Sequence, residues 1–145
     1  MNAEEQDRIE AACIRLQRRY GTLADRQDPA FRELFTHDAV IELPGYPPFA
    51  GIDAIMAGQM QWKASGIVMR HVCTNFTIEM VDETRAKGLC YVMVFRHEPL
   101  ANPTAEAQPS LPLSLGEFHD GFVKQDGRWL FRRRKLVPVF RGVAS

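Results

Sequence analysis

Asp25 and His71 stand where two otherwise apolar patterns break. Asp25 lies just past the apolar stripe of a first helix. His71 leads a polar set, His71, Cys73, Asn75 and Thr77, that shares one face of a strand, with Val72, Phe76 and Ile78 largely on the other. A His and an Asn on a sheet face that helices must cover need partners, because unpaired buried polar groups are costly. A carboxylate bonded to one imidazole nitrogen fixes the tautomer and leaves the other nitrogen as a general base. Tyr20 would serve as a neutral donor to a carbonyl or enolate oxygen, and Arg134 would hold an anionic group or help a leaving group depart. Together these four suit proton abstraction beside a carbonyl, followed by elimination, isomerisation or aldol closure, with no cofactor required. Each also has a structural reading: Asp25 ahead of Pro29 shapes a turn, Tyr20 belongs to the core, and a histidine on a strand is often satisfied internally.

The elements that would position these residues follow from periodicity. Asn2 with Glu5 three residues later reads as a capping box. Ile9, Cys13, Leu16, Tyr20 and Leu23 then recur every three or four residues, as on one helix face. Gly21 is expected to weaken the last turns, so that Tyr20 and Asp25, five residues apart, both reach a pocket mouth only if the chain loosens there. Asp28 caps a short second helix from Pro29 to Phe35, ended by His37 and Asp38. Ala39–Leu43 is a short strand, and a third helix opens at Gly51 and runs to about Ala64, with Ile55, Met56, Met60 and Trp62 as its apolar contacts. Val68–Met80 and Arg85–His97 read as a long hairpin. Pro99–Pro112, rich in proline and alanine, reads as a loop that lids the pocket. Leu113–Lys124 and Arg128–Phe140 form a last hairpin around Gln125-Asp126-Gly127, where Asp-Gly is a strong turn signal. Helices first and long hairpins last define an α+β domain spanning residues 1–145, in which a strongly curved antiparallel sheet and N-terminal helices enclose a pocket.

Composition excludes several classes. Lys plus Arg equals Asp plus Glu at 18 each, so the formal net charge is zero, without the basic surplus of a nucleic-acid binder. The basic run Arg132–Lys135 lies inside a strand, so no nucleic-acid partner is expected. Three cysteines without paired spacing form neither a disulfide framework nor a zinc site, and the four histidines show no ligand spacing, so no metal is expected. There is no phosphate-binding glycine loop and no Gly-x-Ser-x-Gly elbow. No apolar stretch suggests a signal peptide or membrane span, which leaves a cytoplasmic location as the default expectation.

The order Tyr20, Asp25, Phe35, Asp38-Ala39, Gly51, Arg70-His71 and Asn75 resembles the SnoaL-like branch of the nuclear-transport-factor-2-like superfamily. Gly116-x-Phe118-x-Asp120, then Asp126-Gly127-x-Trp129 and the arginine run, are similar to its closing hairpin. The resemblance covers about residues 5 to 138 and implies a cone-shaped sheet around a pocket. Within that branch, scytalone dehydratases, bile-acid dehydratases and a lindane dehydrochlorinase use an Asp–His pair, and Asp25 and His71 fall at the matching places. In the bile-acid enzymes a Tyr precedes the Asp by five positions and an Arg lies on the last strand, as Tyr20 and Arg134 do here. His97 sits near a second pocket histidine of scytalone dehydratase, although a one-residue shift would turn it to the other face. Ala24 stands where that enzyme has a Tyr.

The resemblance implies a cofactor-independent lyase or isomerase acting on a small apolar carbonyl or cyclic alcohol. Phe118, Trp62, Tyr46 and Met60 are expected as apolar walls, with Asn75, His97 and Asp120 as further pocket residues. A non-catalytic binding or assembly subunit, such as a ring-hydroxylating dioxygenase small subunit, is the alternative. An epoxide hydrolase of the limonene type would instead need an Asp–Arg–Asp set, to which Asp120 and Arg134 would contribute. The outer sheet face, with Ile78, Val92 and Phe122 as candidates, would be covered in a homodimer or homotrimer.

Overall fold

The computed structural model describes residues 1–99, 101 and 110–141. Helix α1 spans Ala3–Asp25; Asn2 caps it, its side chain accepting from the Glu5 amide at 2.9 Å. Ile9, Cys13, Leu16, Gln17, Tyr20, Gly21 and Ala24 form its buried stripe. A 3-10 helix follows at Pro29–Leu34, with Asp28 accepting from the Ala30 amide at 2.8 Å. Strands β1 (Phe35–Glu42) and β2 (Phe49–Ala50) come next, then α2 (Ile52–Ser65), β3 (Val68–Met80), β4 (Arg85–His97), β5 (Ser110–Gln125) and β6 (Arg128–Arg141).

The six strands form one sheet in the order β2-β1-β6-β5-β4-β3. All pairs are antiparallel except β1–β6, which run parallel, so the sheet is mixed. The Asp126-Gly127 turn has both residues at positive φ, 50° and 76°, the geometry that matches the twist of a two-residue hairpin loop. Register shifts interrupt every long pairing, and such bulges bend and coil the strands. Helix α1 lies chiefly across β3 and also touches β4 and β6. Between helix and sheet an aromatic ladder of Tyr20, Phe31, Phe35, Phe118, Phe122 and Phe131 links ring to ring at 5.0–6.2 Å. Among the described residues no helix is long and apolar enough to cross a membrane.

Several expectations change. Strand β1 starts at Phe35 rather than Ala39, since Phe35 is already extended and ends the 3-10 helix; His37 and Asp38 lie within the strand, pointing outward. The Ser110–Pro112 stretch belongs to β5. The rest of the expected Pro99–Pro112 loop, apart from Pro99 and Ala101, lies outside the described residues.

Helix α1 does not loosen at Gly21 but continues unbroken to Asp25. The glycine is needed for a close approach instead, because a Cβ there would stand 3.0 Å from the His71 Cβ. Gly21→Val should therefore push β3 off the helix, costing about 1–3 kcal/mol as overpacking does. Urea denaturation measures the loss, and an unchanged midpoint would show that the approach is not tight.

A bulge between Thr74 and Thr77, with Asn75 at φ 54°, reverses which side chains of β3 face the helix. His71 and Cys73 point inward before it, Phe76 and Ile78 after it, and Asn75 and Thr77 are exposed. Ile78, Val92 and Phe122 thus belong to the interior, the last two being fully buried, and not to the outer face. Val72 and Tyr91 are exposed apolar residues of that outer face on β3 and β4.

Candidate active site

The sheet, α1 and α2 surround a cavity of about 530 Å³. Its wall is mostly apolar, with Trp62, Ile67, Met69, Val94 and Leu136 among its lining, and Tyr46 at an exposed edge. Tyr46, Phe49 and Trp62 meet one another in tilted and edge-on contacts at 6.1–6.4 Å, tying the β1–β2 connection to α2 at this wall. Polar atoms enter the lining from His71, Tyr20, Arg96 and Ser114. A largely apolar cavity with few polar groups is the form that small-molecule sites take.

His71 and Asp25 meet on the wall that α1 and β3 share. Asp25 accepts twice: one oxygen stands 2.5 Å from His71 Nδ1, and the other takes the His71 backbone N–H at 2.8 Å. The two side chains are 8% and 11% exposed, so solvent screens the contact little. The two contacts, one to the ring and one to the backbone, hold His71 against the end of α1. With Nδ1 turned to the carboxylate, Nε2 has no hydrogen-bond partner among the described residues. Asp25 reaches His71 because it occupies the last turn of an intact helix. Tyr20, further back on the same helix, faces the cavity, and its ring meets the His71 ring edge-on at 6.1 Å.

The Tyr20 ring is buried, and its hydroxyl likewise has no hydrogen-bond partner among the described residues. Burial pushes that hydroxyl up to about 12, against the opposing influence of Arg134. It is a neutral donor at any ordinary pH.

Arg134 and Asp120 do not line the cavity. Both side chains are 0% exposed, and Arg134 Nε stands 2.9 Å from Asp120 Oδ1. Arg134 Nη2 donates to Asp120 Oδ2 at 3.3 Å and to Cys90 Sγ at 3.4 Å, and Gln17 Nε2 donates to Asp120 Oδ2 at 3.1 Å. The 2.9 Å contact is an ion pair without an aligned hydrogen bond; Nε, Nη1 and Oδ1 have no hydrogen-bond partner among the described residues. Burial pushes the Asp120 carboxyl up, opposed by Arg134 and Gln17. The limonene-type alternative needs these groups around a water in the cavity, and they are sealed behind its wall. Of the neighbouring arginines, Arg132 pairs with Asp38 and Arg133 with Glu42 on the exposed face.

The remaining sequence candidates divide. Phe118, Trp62 and Tyr46 line the cavity. Met60 is 70% exposed and is not a wall, because it points away on the solvent side of α2. Asn75 is turned out by the β3 bulge. His97 is on the outward alternation of β4 and bonds the Glu98 carbonyl through Nδ1 at 2.6 Å, while Arg96, one residue earlier, takes the place in the cavity lining. Gln17 was missed, although its spacing from Cys13 and Tyr20 places an amide in the middle of the apolar stripe. No group of three or more metal-ligating side chains occurs among the described residues.

Cys73 lies beside this site. The neighbouring Cys90 thiol, helped by Arg134 and His71 against burial, draws the Cys73 thiol down to about 7, while Cys73 and burial push Cys90 up. Burial and the Asp120 charge push the Cys13 thiol up to about 12. Iodoacetamide at pH 8 should therefore modify Cys73 well before Cys13 or Cys90 in the native protein, as read by peptide mass spectrometry. Faster modification of Cys90 would mean that the thiol pair is polarised the other way.

N-terminal helices folded across a coiled six-stranded sheet around one such cavity define the nuclear-transport-factor-2-like class. The chain belongs to the SnoaL-like domain family, whose model matches residues 7–135. Among solved structures, it resembles a provisionally named scytalone dehydratase from Novosphingobium aromaticivorans at TM-score 0.81 and 23% identity, over 96% of this chain and 89% of that one. A hexachlorocyclohexane dehydrochlorinase, LinA type 2, aligns at TM-score 0.82 and 17% identity, over 99% and 94% of the two chains. A protein of unknown function from Mycobacterium tuberculosis aligns at 0.75 and 28%, over 96% and 77%. No curated protein matches the chain.

Proposed function

We propose that this chain is a cofactor-independent lyase or isomerase, dehydratase- or cyclase-like, acting on a small, largely apolar carbonyl compound or cyclic alcohol. One observation carries the reading: Asp25 grips His71 at Nδ1, leaving an unpartnered Nε2 in a mostly apolar cavity whose wall also presents the unpartnered Tyr20 hydroxyl. His71 is the general acid/base and Asp25 fixes its tautomer and orientation. Tyr20 donates to the substrate oxygen, where negative charge grows as the adjacent C–H is deprotonated. The proton then returns from His71 either to another carbon or to a departing hydroxyl. The low polarity of the wall strengthens these interactions by excluding water. The structural neighbours that bear dehydratase and dehydrochlorinase names are consistent with eliminations of this kind.

The test is solvent-deuterium exchange at the carbon beside the carbonyl, followed by NMR over a panel of cyclic ketones and β-hydroxy ketones. Enzyme-dependent exchange or water loss supports the reading. Ketones that bind yet exchange no faster than in buffer would refute it.

A further inference from the structure

We infer that Arg134 is a positioning residue that never touches the substrate and acts through Tyr20, lying against the far side of its ring and making its hydroxyl a stronger donor. The inference rests on the proposed role of Tyr20 as donor to the substrate oxygen. Tyr20 and Phe118 line the cavity, and Arg134 does not. Its guanidinium carbon stands 3.7 Å from the Phe118 ring centroid, 4.3 Å from that of Tyr20 and 4.7 Å from that of Phe131. The rings are thus an aromatic skin with a fully buried cation behind it.

A cation on the face of an aromatic ring interacts with its π-electrons and stabilises negative charge developing on the ring. In a phenol that charge is shared with the oxygen, so the hydroxyl donates more readily as an oxyanion forms against it. The planar guanidinium suits stacking between rings in a way a compact ammonium does not. Asp120 holds the plane in place through its contacts at 2.9 and 3.3 Å, and Gln17 holds Asp120 from α1 at 3.1 Å. The charged or titratable groups bearing on Tyr20 are Arg134 from β6, Asp120 from β5, His71 and Cys73 from β3, and Asp25 from its own helix. After burial, Arg134 is the largest of these influences and lowers the Tyr20 hydroxyl, whereas Asp120 raises it by less.

The experiment labels the protein with 3-fluorotyrosine and follows the three tyrosine ¹⁹F resonances against pH, with Tyr20→Phe identifying the Tyr20 signal. In Arg134→Met the Tyr20 midpoint should rise by about one pH unit, roughly tenfold in the ionisation constant, while Tyr46 and Tyr91 stay put. The double variant Arg134→Met/Asp120→Asn, which leaves no unpaired buried charge, should give a smaller rise and covers the case in which the single variant does not fold. Loosening of the core would admit water and lower the midpoint in both variants. A midpoint that falls or stays fixed overturns the inference. Its failure is separable from that of the proposed function: the titration needs no substrate, whereas a Tyr20→Phe enzyme with full ketone-exchange rate removes Tyr20's role without altering the titration.

Discussion

Replacing His71 with alanine should lower the exchange or dehydration rate by about 10²–10⁴-fold, the contribution usual for a positioned general acid/base. The physical reason is that no other cavity-lining side chain among the described residues can take and return a proton near neutrality. Arg96 stays charged, and the Tyr20 hydroxyl is held up at about 12. Asp25→Asn keeps the shape of the partner but takes away its charge, and an amide can offer its N–H to Nδ1 and so favour the wrong tautomer. It should cost nearly as much as His71→Ala, and the double variant should lose little more, because the two residues act as a unit. The check is the pH–rate profile of all three proteins: the limb on which the wild-type rate rises with pH should vanish without His71. Full rate in both single variants would rule the pair out as the reacting groups.

The second large effect is on stability. Removing one partner of the Arg134–Asp120 pair leaves a charge where the structure offers no solvent, and such losses run to about 3–5 kcal/mol. Arg134→Met should shift the urea unfolding midpoint strongly downward at neutral pH. The deficit should shrink in acid, and the sign follows from linkage. Burial already pushes the Asp120 carboxyl above its ordinary value, and losing the arginine removes the main influence opposing that rise. A carboxyl raised in the folded state favours folding when protonated, so that support is complete below the unfolded value and is lost as pH rises through the folded one. Arg134→Met/Asp120→Asn should recover most of the loss at neutral pH, because no buried charge is then unpaired. A double variant as unstable as the single one would place the cost in packing and not in charge.

Most of the architecture is visible in local signals. The Asn2 cap, the stripe from Ile9 to Tyr20, the Asp28-Pro29 start and the Asp126-Gly127 turn each act within a few residues, and the structure places them as their chemistry requires. Asp25 and His71 can be picked out because each interrupts a pattern. The errors come from long-range effects. The parallel β1–β6 pairing joins strands from opposite ends of the chain, which no periodicity encodes. The fate of Asn75, Thr77 and Ile78 hangs on one bulge, and alternation carried through it misassigns every residue beyond. Arg134 is expected at the pocket because the resemblance sets an arginine on the last strand; that the interior at that level is filled by Phe118, Tyr20 and Phe131 is a fact of packing. Met60 fails similarly, since apolar character alone does not say which side of α2 is covered.

The bulge at Asn75 has a consequence for how this strand tolerates change. It acts as a phase boundary: upstream, the inward positions serve the cavity and hold His71 against Asp25; downstream, they serve the packed interior through Phe76 and Ile78. Because the extra residue absorbs the offset, the two stretches keep independent frames and can be repacked separately. Losing that one residue would force a common frame, so that either the histidine leaves the aspartate or Phe76 and Ile78 turn to solvent. In β3, a single surface asparagine lets one strand carry two alternations, one for a site and one for a core.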